Sequence, residues 1–106
     1  MLISVILVSY NTAQMSIEAL NSLFAAQGNF TLEVFVVDNA SKDNSAQIIK
    51  NAFPNITLIE NKINVGFGRA NNQVLNLVKG DFVLLLNTDA FVEIDTVQKK
   101  IGRAHV

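Results

Sequence analysis

The sequence predicts an α/β fold, a parallel sheet with helices in the crossovers, and three observations carry that prediction. Four apolar runs of strand length recur along the chain: Leu2 to Val8, Leu32 to Val37, Ile56 to Ile59 and Phe82 to Leu86. The segments between them carry the helical period. Each run ends on a polar cluster, Ser9-Tyr10-Asn11-Thr12, Asp38-Asn39-Ala40-Ser41, Asn61-Lys62-Ile63-Asn64 and Asn87-Thr88-Asp89 in turn. Strands alternating with helices of this length build right-handed βαβ units. An open parallel sheet of that kind lines up all four clusters on its carboxyl edge, where ligands bind.

The elements follow in order. Met1 to Val8 is apolar but has no basic flank and is too short to span a bilayer, so it reads as the first strand and not as a leader or an anchor. Next, Ala13, Ile17, Leu20 and Phe24 fall at i, i+4, i+7 and i+11, with Asn11 or Thr12 as cap and Gly28 just past the end, which predicts a helix. After the second strand, Ile48, Ile49, Ala52 and Phe53 share one side of a helix that Asp43 or Asn44 caps and Pro54 stops. The third helix has one stripe, Phe67, Ala70, Val74, Leu77 and Val78, and Gly80 stands at the usual C-terminal capping place. Phe82 to Leu86 shows no polar alternation, as expected of a strand covered on both faces.

Composition excludes several classes of function. Half of the 106 residues are hydrophobic and 16% are charged, so the chain can bury a core. A net charge of −1 gives no electrostatic case for nucleic acid or for an acidic membrane face. Without cysteine there is neither a disulfide framework nor a thiolate metal site. Asn29-Phe30-Thr31, Asn39-Ala40-Ser41 and Asn55-Ile56-Thr57 match the N-glycosylation pattern, which in an Asn-rich chain with no secretory signal reads as chance. The expected location is the cytoplasm or the cytoplasmic face of a membrane, with any membrane association left to other parts of a longer protein.

The polar clusters carry the chemistry. Asp38, at the end of the second strand, is placed to accept hydrogen bonds from a ribose hydroxyl or a base N–H; equally, it can serve a local turn, because Asp38 to Asp43 is rich in capping residues. Ser9, Tyr10 and Asn11 offer an aromatic face beside hydroxyl and amide groups, suited to stack on a base and bond its edge, or else Tyr10 fills the end of the sheet. Magnesium or manganese on a diphosphate usually takes only one or two carboxylates from a protein. Asp89 can supply one and Asn87, two residues earlier, a weaker amide oxygen, unless Asn87-Thr88-Asp89 is simply a strand-ending turn. Gly66-Phe67-Gly68 hints at a dinucleotide fingerprint, but position 71 holds Asn71 and the motif follows the third strand, which disfavours a nicotinamide or flavin cofactor. Gly66 and Gly68 more simply permit close backbone approach at a helix start whose free N–H groups face an anion.

Together, Val5-Ile6-Leu7-Val8-Ser9-Tyr10-Asn11, Val36-Val37-Asp38-Asn39-Ala40-Ser41, Asn64-Val65-Gly66 followed by Ala70 and Asn72, and Gly80-Asp81-Phe82 leading to Asn87-Thr88-Asp89 resemble the nucleotide-sugar half of glycosyltransferase family 2, especially its rhamnosyltransferase-like branch. The resemblance implies a Rossmann-like parallel sheet forming the N-terminal half of a GT-A fold. It implies transfer of a sugar from a nucleoside-diphosphate donor to an acceptor hydroxyl, on a glycan or a lipid-linked acceptor, with inversion. It further implies that Ser9, Tyr10, Asn11, Asp38, Asn64, Gly66 and Asn72 bind the nucleotide sugar and that Asp89, with Asn87, meets a divalent Mg or Mn ion. The sequence departs from the family where Asn87 and Ala90 replace common acidic residues, and where Asn71 and Val74 replace Arg and Gly.

The family's catalytic base belongs to the half after the metal motif, and no residue here takes that role. Residues 1–100 therefore read as a partial, donor-binding domain, inactive by itself. Phe82 to Leu86 would then be an unprotected apolar edge in a 3-2-1-4 strand order. The hexapeptide Ile101-Gly102-Arg103-Ala104-His105-Val106 is similar to the translation of a common sequencing adapter and reads as a non-native tail. Two other classes compete. A receiver domain wants acidic residues, and a nucleotidyltransferase a Gly-rich basic loop, where Ser9-Tyr10-Asn11 stand; a noncatalytic nucleotide-binding module is separated from the leading reading by titration with a nucleotide sugar.

Overall fold

A computed structural model of the chain describes residues 1–26, 28 and 30–86, with the backbone of 102–103. Asn87, Thr88 and Asp89 lie outside the described residues. The elements run β1 (Leu2–Ser9), α1 (Ala13–Ala25), β2 (Thr31–Asp38), α2 (Ser45–Ala52), β3 (Thr57–Glu60), α3 (Phe67–Leu75), β4 (Phe82–Leu86) and β5 (Gly102–Arg103). Their order in the sheet is β3-β2-β1-β4-β5, with β1 to β4 all parallel. The expected 3-2-1-4 arrangement is thus present. Its outer edge is not bare at the start of β4, where Gly102 and Arg103 pair antiparallel with Val83 and Phe82.

The strand order reverses direction at β1, and this sends the helices to opposite faces. α1 and α2 pack with Ile3, Val5 and Leu7 of β1, Val34 and Val36 of β2, and Leu84 and Leu86 of β4, through Ala19, Leu20, Leu23 and Ile49. α3 covers the other face, where Ala70 and Val74 meet Ile6, Phe35 and Val37. β1 is buried on both faces for this reason, in line with a run that is apolar from Leu2 to Val8 but for Ser4. β4 is not: Leu85 is 51% exposed.

The helical stripes differ from their sequence expectation by about one residue. In α1 the fully buried positions are Ser16, Ala19, Leu20 and Leu23, whereas Phe24 turns outward and stacks on Phe53 with ring centroids 5.6 Å apart. In α2 Ile49 is buried and Ile48 exposed. α3 stops at Leu75 with Asn76 as its C-cap, so Leu77 and Val78 fall beyond the helix and Gly80 does not cap it. Gly80 serves a close approach instead. A Cβ at that position would lie 2.5 Å from Ser4 Oγ and 2.6 Å from Ser4 N.

That contact belongs to a lock at the amino edge of the sheet. The buried Ser4 hydroxyl donates to Glu33 Oε2 and accepts from the Gly80 N–H at 2.8 Å. The Lys79 N–H reaches the same carboxylate at 2.8 Å. Asp81 N–H donates to Leu2 O, and Leu2 N–H to Asp81 Oδ2. β4 is thereby seated beside β1 before their ladder begins.

Candidate functional site

Register aligns the strand ends. Ser9 stands beside Asp38 and Asp38 beside Glu60. β4 pairs with the other side of β1, the two neighbours being reached by crossovers on opposite faces. In open α/β sheets a reversal of this kind opens a crevice at the carboxyl edge.

At the end of β1 the sequence-predicted residues separate into support and surface. Ser9 is fully buried; its hydroxyl lies 3.0 Å from Thr12 Oγ1 and accepts from Ser16 Oγ at 3.1 Å, so it locks the start of α1 and presents no surface to a ligand. Tyr10 is 40% exposed, which disfavours its reading as a filler of the sheet end and leaves its ring face available. Asn11 adopts φ +51°, a conformation Asn tolerates better than most residues. Its N–H donates to Ser41 Oγ at 2.8 Å and its Oδ1 accepts from the Lys42 N–H at 2.8 Å. Asn11 therefore ties the β1 loop to the β2 loop.

Asp38 is 4% exposed, and both its oxygens meet Ser41: Oδ2 accepts from the Ser41 N–H at 3.0 Å, and Oδ1 from the Ser41 hydroxyl. This is the turn that the capping-rich sequence allowed, with Ala40 at φ +66° completing the bend. The carboxylate retains acceptor capacity, because two oxygens carry about four lone-pair sites between them. Asp43 acts likewise for α2, accepting from the N–H of Ser45 at 3.0 Å and from its hydroxyl.

The loop after β3 closes the site from the other side. Asn61 N–H continues the sheet ladder to Asp38 O at 2.9 Å. Asn61 and Gln73 exchange side-chain amide bonds of 2.8 and 2.9 Å, clamping the loop to α3. Asn64 is exposed, and its Oδ1 accepts from the Gly66 N–H at 2.8 Å. Gly66 precedes α3 with φ +85°, a value that favours glycine. α3 has no acidic residue in its first turn and no side-chain cap, so its leading N–H groups keep their positive end for an anion. Asn72 is exposed on α3, five residues past its first residue.

Sequence reasoning named Asn39, Ser41 and Asn71 within motifs but assigned none of them to the site, and it passed over Gln73. Asn39 joins the β2 end to the loop before α3. Asn71 is buried; its Nδ2 donates to Phe67 O at 3.0 Å, which fixes the amide's orientation and leaves Oδ1 without a partner. It lines a hollow of about 440 Å³ with Phe67, Gly68, Asn72, Leu75, Val83 and Leu85. A polar residue at helical spacing between Ala70 and Val74 was the only signal for it.

Asp89 and Asn87, the expected metal ligands, lie outside the described residues. Among the described residues no group of three or more His, Cys, Asp or Glu side chains could hold a metal ion. No helix among them is long and apolar enough to cross a membrane.

Known proteins share this arrangement. The succinoglycan biosynthesis protein ExoO of Rhizobium meliloti is 30% identical over 103 residues, which are 96% of this chain and 29% of that protein. A crystal structure of Staphylococcus aureus TarS, residues 1–349, in complex with UDP-GlcNAc superimposes with a TM-score of 0.78 at 32% identity, covering 93% of this chain and 30% of that one. The mannosyltransferase PcManGT of Pyrobaculum calidifontis, in complex with GDP-Man and Mn2+, superimposes with a TM-score of 0.75 at 30% identity over 84% of this chain and 28% of that one. The chain spans less than a third of each of these proteins. The sequence model of glycosyl transferase family 2 matches residues 4–105. With that match over nearly its whole length and a parallel sheet like those of GT-A enzymes, the chain belongs to glycosyltransferase family 2.

Proposed function

We propose that this chain is the donor-binding part of an inverting glycosyltransferase that moves a sugar from a nucleoside diphosphate to an acceptor hydroxyl. The observation that carries the proposal is the meeting, at one sheet edge, of Tyr10, the Asp38-Ser41 turn and the Gly66 loop, held together by the hydrogen bonds of Asn11 and Asn61. Tyr10 gives the base a ring face, Asp38 accepts from a ribose hydroxyl or a base N–H, and Gly66 lets the diphosphate approach the backbone and the start of α3. Asn64 and Asn72 border that approach, and Asn11 acts by joining the two loops. Ser9 supports the site from behind through Thr12 and Ser16.

In the transfer step the acceptor oxygen forms a bond to the anomeric carbon as the bond from that carbon to the diphosphate breaks, inverting the centre; a base takes the acceptor's proton. That base belongs to a part of the protein beyond these residues. Asp89, with Asn87, would hold a divalent ion, which when bound would supply positive charge against the diphosphate. The acceptor is a glycan or a lipid-linked acceptor, and the reaction's place is the cytoplasm or its membrane face. A rhamnosyl donor is among the candidates, on the resemblance of the motifs to the rhamnosyltransferase-like branch.

Calorimetric titration of the purified chain with UDP, dTDP and GDP tests the reading. One of these is expected to bind, and more tightly with manganese or magnesium than with a chelator. Binding indifferent to metal would remove Asp89 from its role while leaving Asp38 in its own. Absence of binding by all three, with and without metal, would reject the donor site.

A further inference from the structure

We propose that Asn39 is the positioning residue of the nucleotide site, a buried amide that sets the Gly66 loop against the ends of β1 and β2; this rests on the donor-binding reading above. Asn39 is 2% exposed, so it acts on a ligand only through its neighbours. Its main-chain N–H donates to Ser9 O at 2.7 Å, anchoring it to β1. Its Oδ1 accepts from the Val65 N–H at 3.0 Å and from Asn61 Nδ2 at 3.2 Å, and its Nδ2 donates to Gly66 O at 3.3 Å. One side chain thus touches the beginning and the end of the 61–66 loop.

Asn61 is fixed to Asp38 and Gln73 at the start of the loop, but the stretch from 62 to 66 has little else to place it. Lys62, Ile63 and Asn64 are exposed, and Val65 is its one partly buried apolar contact. Gly66 has the conformational freedom of glycine at φ +85°, so its carbonyl and the start of α3 need an outside reference. An amide suits the place because it offers an acceptor to two N–H groups and a donor to a carbonyl at once. Alanine offers neither. Aspartate retains the acceptor but turns a second oxygen toward Gly66 O.

The test measures UDP, dTDP and GDP affinity, thermal melting and hydrogen exchange of the Val65 amide in the wild-type chain and in Asn39→Ala, Asn39→Ser, Asn39→Asp and Ser4→Ala. Losing its side-chain hydrogen bonds to Val65, Asn61 and Gly66, Asn39→Ala is expected to raise the dissociation constant about tenfold and to expose the Val65 amide to exchange. Asn39→Asp, which keeps the acceptor, is expected to retain Val65 protection and to fall between the two in affinity. Ser4→Ala, at the opposite edge, is expected to lower the melting temperature and leave affinity unchanged. If Asn39→Ala does not fold, Asn39→Ser, too short to reach Val65 and Gly66, is read in its place. A dissociation constant within about twofold of wild type in the Ala or Ser variant overturns the proposal. So does a loss matched by Ser4→Ala at equal destabilisation. A wild-type chain that binds no nucleotide rejects the donor-binding reading itself, and this inference with it.

Discussion

Gly80→Ala is expected to destabilise the chain by about 1–3 kcal/mol, the usual cost of forcing a methyl group into a closely packed place. The added Cβ would lie 2.5 Å from Ser4 Oγ, 2.6 Å from Ser4 N and 2.9 Å from Phe82 O. The hydroxyl could rotate, but the other two atoms are backbone of paired strands and cannot yield without parting β1 from β4. Rotation also carries a loss, since Ser4 Oγ would give up the Gly80 N–H and Glu33 together. For a domain near this size each kcal/mol lowers the melting temperature by roughly 4–8 °C, so a thermal melt reads the effect directly. Melting at the wild-type temperature would show that the approach of the 79–81 segment to β1 is looser than described. Because Gly80 sits at the amino edge, nucleotide affinity of the folded variant is expected to stay as it was.

Asp38→Ala tests the opposite edge, and there two effects compete. If the carboxylate binds ligand, its removal is expected to weaken nucleotide binding by about 1.5–3 kcal/mol, as for a hydrogen bond to a charged group. If it serves only the turn, the loss appears in stability, since Ser41 would lose both of its bonds to that carboxylate. Titration and melting on the same variant separate the two. Equal affinity with a lowered melting temperature would leave Asp38 as a turn residue. Ser41→Ala is the informative companion. It removes the hydroxyl's bonds to Asp38 and from the Asn11 N–H but keeps the main-chain N–H bond and the carboxylate, so it should lower stability while sparing affinity more than Asp38→Ala does.

The sequence by itself determined the order of strands and helices, and through it the architecture. Apolar period, caps and breakers act over a few residues, and a strand-helix-strand alternation leaves a right-handed parallel crossover as nearly the only solution. The same local signals put the polar clusters after the strands, which is why Asp38 and Gly66 stood out as site candidates before any coordinates. Tertiary structure alone decided what each polar residue does there. Ser9 and Tyr10 are neighbours in one motif, yet Ser9, the last residue of β1, is sealed against the start of α1, and Tyr10, just past the strand, is open to solvent, which only packing decides. Asn39, 26 residues before Val65 in the chain, holds it by a hydrogen bond, and Gly80 meets Ser4 across 76 residues. Contacts of that separation leave no periodicity and no local motif, since they arise from register between strands that meet only once the sheet has formed. The sequence named glycine at position 80 and a polar run after β2; the fold turned the first into a close approach and the second into a brace for a distant loop.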